Sequence, residues 1–239
     1  ELSFSIYKQD STFLNTKFDS RIFYNLNTKI KLGLTYNSES SNNLDKNIKN
    51  NIEPFSNFFL GFQFDFIIPK NDFFFNDKFV LKINPSIGER NLNSNTINQL
   101  KIETITSYLW DLNSRNSIYI RNTNGFLNSE TYLDNELFRI GGPTSIRGFN
   151  EQSIFVNQYI IFNVEYRFLT SEKSYLYTIT DFAEITNIKN NNNLTSFGLG
   201  FLFKTKNSLI NINSSVGRSG NEKLNFKSAK LIVNWKISF

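Results

Sequence analysis

Apolar and polar residues alternate with a period of two along most of the chain, and a helical repeat is hardly seen anywhere. Leu26, Thr28, Ile30, Leu32, Leu34 and Tyr36 share one face, opposed by Asn27, Lys29, Lys31 and Thr35. Phe58, Leu60, Phe62, Phe64, Phe66 and Ile68 oppose Asn57, Gly61, Gln63 and Asp65 in the same way. Near the far end Phe197, Leu199, Phe201 and Phe203 oppose Gly198, Gly200 and Lys204, while Leu231, Val233, Trp235, Ile237 and Phe239 oppose Asn234, Lys236 and Ser238. The pattern predicts an all-β chain of about 12 strands, near 1–9, 12–23, 26–37, 57–69, 77–88, 97–110, 115–124, 154–169, 174–186, 194–206, 208–217 and 226–239. The Asn- and Ser-rich connectors at 37–51 and 187–193 read as loops.

Alternation by itself fits a soluble sandwich with one face in a core and the other in water. Two features point instead to a transmembrane antiparallel β-barrel. Several runs reach about 10 to 14 residues, enough to cross a bilayer at a tilt, and 26 Phe and 10 Tyr populate mainly one face and the strand ends. The last strand, KLIVNWKISF, ends on an aromatic residue with alternate apolar residues behind it, as a barrel-closing strand would. A mean hydropathy of −0.34 is compatible with this, because lumen and loops of such a barrel are polar. No run approaches about 18 consecutive apolar residues, so a transmembrane helix is not expected. The opening ELSFSIYKQD lacks the basic start, apolar run and cleavage site of a secretory signal, so the chain reads as processed or excised.

Composition narrows the chemistry. The 239 residues suffice for one sizeable domain, and the absence of Cys and His removes disulfides, Cys/His zinc sites, thiol nucleophiles and histidine acid–base catalysis. No enzyme activity, cofactor or metal is expected. The formal charge of +5 is scattered with no basic stripe, so no nucleic-acid partner is expected either. Asp65, Asp72, Asp77 and Glu89 read as lumen or loop acids and not as a calcium site. Gly217-Arg218-Ser219-Gly220 reads as a turn between the last two strands.

The decapeptide Ile140–Phe149, IGGPTSIRGF, interrupts the strands with turn signals and carries a single arginine. It predicts a structured loop within an insertion at about 125–153. A guanidinium flanked by glycines is suited to pairing with carboxylates on a facing wall. If Val156, Ile160, Phe162, Val164, Tyr166 and Phe168 form an outer face, Glu165 points inward together with Asn163 and Arg167. If Phe182 faces lipid, Asp181 points inward too.

FRIGGPTSIRGF, followed by NVEYRF and TDFAEI, resembles the C-terminal barrel of the BamA/TamA superfamily of bacterial outer-membrane assembly and two-partner-secretion proteins, the bacterial surface antigen family. The resemblance extends over about 138–239, and before that only the architecture agrees. It implies that Arg147, Gly148 and Phe149, preceded by Gly141 and Gly142, form an inward-folded loop tip, and that Glu165 and Asp181 on the next two strands are its acidic partners. It also implies that Trp235, Ile237 and Phe239 belong to a C-terminal assembly signal. Five strands follow the loop, as in a family barrel of 16 strands, but only about seven precede it and no POTRA repeats are visible. Residues 1–239 are therefore expected to be the C-terminal part of an outer-membrane barrel domain from a longer precursor. The implied function is assembly or insertion of outer-membrane proteins through a lateral seam, with the outer-membrane lipid bilayer, an unfolded β-barrel client and accessory lipoproteins as partners. The alternatives are a two-partner-type pore for a secreted polypeptide, or the barrel anchor of a larger fusion protein.

Overall fold

The computed structural model of the chain describes residues 1–9, 12–44, 51–70, 72, 74–92, 95–188 and 190–237. Phe239, the last residue of the expected C-terminal signal, lies outside them, as does Ser238. Among the described residues there are fourteen strands: β1 (Leu2–Gln9), β2 (Phe13–Asn25), β3 (Ile30–Asn43), β4 (Phe55–Pro69), β5 (Asp77–Leu92), β6 (Asn95–Asp111), β7 (Asn116–Ser129), β8 (Phe138–Ile140), β9 (Ile154–Val156), β10 (Gln158–Ser171), β11 (Ser174–Thr186), β12 (Asn191–Lys204), β13 (Ser208–Ser219) and β14 (Lys230–Ile237). Twelve form one sheet in chain order from β1 to β14, with β7 directly beside β10, while β8 and β9 pair in a sheet of their own. The long connection between β7 and β10 is thus an excursion from two neighbouring strands.

The two faces of the large sheet are opposite in character. Leu34, Leu60, Phe62, Phe162, Phe182, Leu199 and Val233 are exposed, whereas Thr35, Asn57, Gln63, Asp65, Asn163, Glu165 and Asp181 are buried. Pairing stacks like on like, since Leu34 lies opposite Phe62 and Tyr36 opposite Leu60. Each strand also puts successive side chains on opposite faces. Along these strands an exposed apolar face opposes a buried face that carries the polar groups.

Several boundaries differ from those expected. Leu26 and Thr28 fall in a turn, where the Asn27 side chain accepts the Lys29 and Ile30 N–H groups at 2.8 and 2.9 Å. Residues 37–43 of the expected 37–51 loop continue β3, with Ser40 opposite Ser56 and Ser38 opposite Phe58. Residues 191–193 likewise open β12 opposite 184–186. The backbone ladder is indifferent to polarity, so strands continue past their apolar stretch. The expected strand 154–169 is two strands, and Val156 on β9 is fully buried instead of joining the outer face. Ile140 ends β8, and residues 226–228 form a 3-10 turn ahead of β14.

The residues group into two compact units, one comprising Glu1–Phe66, Lys82–Thr104 and Gly125–Phe138 and the other Ile67–Leu81, Ile105–Asn124 and Arg139–Phe239. In the first, the segment before β8 carries a 3-10 turn at Asp134–Glu136. In the second, an apolar cluster of Tyr175, Tyr177, Ile179 and Leu202 packs with Phe74, Phe75, Leu169 and Leu209.

Candidate functional site: an arginine-tipped loop on the polar face

Strand register builds the wall on which the loop rests. Asn163 on β10 lies opposite Asp181 on β11, Asp181 opposite Ser196 on β12, and Ser196 opposite Gly217 on β13. These four residues form one row on the polar face, running across the strands.

The loop follows that row. The Asn163 side-chain amide donates to the Ser145 carbonyl at 2.8 Å. Two residues on, Arg147 meets Asp181: its backbone N–H and Nε each donate to Oδ2 at 2.9 Å, and Nη2 donates to Oδ1 at 2.6 Å. Nη1 donates to Glu165 Oε1 at 2.5 Å. The fork geometry of a guanidinium suits this two-carboxylate grip, which an ammonium could not reproduce. Gly148 then crosses β13 so closely that a Cβ on it would stand 2.5 Å from the Gly217 nitrogen, and its φ of +81° already favours glycine. The Phe149 ring covers Gly217, where a Cβ would come within 2.6 Å of it.

Charge is balanced locally. The second oxygen of Glu165 accepts from Arg167 Nε at 2.8 Å and Nη2 at 2.7 Å. The Arg167 guanidinium in turn lies 4.0 Å from the Tyr119 ring, 4.9 Å from Phe75 and 5.4 Å from Tyr175. Two arginines therefore face two carboxylates, and the aromatic rings supply further attraction to Arg167. A buried ionic group is tolerable only when paired and hydrogen-bonded in this way.

The five residues expected at the tip and on its wall, Arg147, Gly148, Phe149, Glu165 and Asp181, meet in this one place. Gly141 and Gly142 lie beside the tip in the left-handed region, with φ of +111° and +90°. Trp235 and Ile237 sit elsewhere, on the exposed apolar face of β14. Sequence reasoning missed Gly217, which it assigned to a turn. Residues 217–219 instead complete β13, and only Gly220 enters the turn. The available signal was a glycine inside a strand pattern, which marks close backbone approach.

Solved structures share this architecture. BamA from Haemophilus ducreyi lacking POTRA domains 1–3 aligns with a TM-score of 0.68 at 13% identity, over 98% of this chain and 57% of that one. CdiB from Acinetobacter baumannii aligns with 0.66 at 13% identity, over 94% and 41%, and CdiB from Escherichia coli with 0.63 at 12%, over 99% and 48%. The fold is that of the BamA and CdiB barrels. A transmembrane antiparallel barrel of this type accounts for the inside-out distribution, because its apolar face meets lipid and its polar face the lumen. The chain spans about half the length of the solved chains it matches, at 41 to 57%. No protein-family model matches the sequence, and no curated protein matches it significantly.

Proposed function

We propose that this BamA/CdiB-type barrel sits in the bacterial outer membrane and acts in assembling other β-barrel proteins there. The observation that carries the reading is the strap of residues 145–149 tied across β10–β13 by Arg147, Asp181 and Glu165. A barrel that opens laterally exposes unpaired backbone groups to hydrocarbon, which is costly until a client strand pairs with them. The barrel wall must meanwhile hold its shape, and a strap spanning four strands provides that stiffness away from the seam. On this reading the partners are the lipid bilayer, an unfolded client and accessory lipoproteins, and Arg147 has a mechanical role with no chemical step.

A second reading is a pore that exports one polypeptide, since the fold is shared with CdiB as well as with BamA. The test uses the full-length protein reconstituted in lipid vesicles and follows a urea-denatured β-barrel protein by its heat-resistant electrophoretic form. Assembly predicts faster folding of that client than in empty vesicles. Folding at the empty-vesicle rate, with polypeptide passage into the vesicle, would support export instead.

A further inference from the structure

The connection between β7 and β10 is held at a second place, by residues the loop motif does not include. Arg90 on β5 is wholly buried, and its Nη1 donates to Glu136 Oε1 and to the Thr131 carbonyl, the latter at 3.2 Å. Its Nη2 donates to Thr131 Oγ1 at 2.6 Å. The Glu136 carboxylate also accepts from the Leu133 N–H at 2.9 Å and from Gln99 Nε2 on β6 at 3.0 Å. Between these contacts Asn135, fully buried, donates to Ser41 Oγ at 2.6 Å and to the Glu53 carbonyl at 2.9 Å, while its own carbonyl accepts from Asn15 Nδ2 at 2.7 Å. Side chains from β2, β3, β5 and β6 therefore converge on residues 131–136.

The polarity is the reverse of that at the tip. Here the wall supplies the arginine and the loop the carboxylate, whereas at the tip the loop supplies Arg147 and the wall Asp181 and Glu165. The two clusters share no residue and no hydrogen-bond partner. Between them the chain passes through Gly141 and Gly142, whose positive φ values permit a sharp turn that other residues resist.

We propose that Arg90 and Glu136 are positioning residues that clamp the base of the loop independently of Arg147, so that residues 131–136 stay on the wall when the contacts of the tip beyond Gly141–Gly142 are lost. The proposal holds under either functional reading, because it concerns how the loop is held and not which polypeptide is handled.

Hydrogen exchange of the full-length protein in lipid nanodiscs separates the two anchors. Useful amides at the base are those of Leu133, Asp134 and Glu136, and at the tip those of Arg147 and Gln152, all hydrogen-bonded. Glu136→Gln is expected to speed exchange at the base by about tenfold or more and to leave the tip unchanged, and Arg147→Ala to do the reverse. Equal deprotection of both segments by either variant overturns the proposal, as does wild-type exchange at the base in Glu136→Gln. Should Glu136→Gln fail to accumulate, Gln99→Leu removes one of the donors to Glu136 and is expected to raise exchange only at the base. A change at the tip, or none at all, overturns the proposal in that variant too.

Discussion

Arg147 donates four hydrogen bonds to two buried carboxylates, and removing it would leave Asp181, about 1% exposed, with a charge and little to answer it. Breaking a buried pair from one side typically costs about 3–5 kcal/mol. Arg147→Ala is expected to destabilise the folded barrel by that order, read as a shift of the urea midpoint in lipid vesicles. Wild-type stability in this variant would mean that the strap bears no load. Gly217→Val should also destabilise, because its side chain enters the space of the Phe149 ring, and pairing it with Phe149→Ala should recover part of the loss. No recovery would show that Gly217 matters for the strand alone. Arg147, Glu165 and Asp181 were legible because motif order and strand parity both point to them. Gly217 and the Arg90–Glu136 pair were not. Glu136 lies 46 residues from Arg90, and only the docking of residues 131–136 on the wall brings the two together.

Along each strand, the alternation identifies the faces but leaves open what lies beyond them. Leu199 on β12 is 68% exposed and lies opposite Ser214. In a lipid-facing position Leu199→Arg should cost about 2–4 kcal/mol near the bilayer midplane. The same change on a water-facing strand would fall within about 0.5 kcal/mol. Folding titrations into vesicles distinguish the two values, and the smaller one would contradict the lipid-facing assignment. Twelve strands in the large sheet were expected from periodicity alone, whereas their ends were placed too early at 37 and too late at 194. Asn and Ser are poor strand formers in isolation, but a neighbouring strand that continues offers them a ladder to complete. The small β8–β9 sheet was illegible for a different reason, because three-residue strands carry no period to detect.

For the whole molecule, the exposed apolar face and the likeness to BamA and CdiB barrels agree on a transmembrane barrel, and the assembly role proposed for it rests on the strapped loop. The most direct measurement is quantitative outer-membrane proteomics after depletion of the full-length protein, with lipoproteins as the internal reference. A broad fall in β-barrel proteins relative to lipoproteins is the predicted result. Unchanged barrels with loss of a single secreted polypeptide would contradict the assembly role and assign the barrel to export.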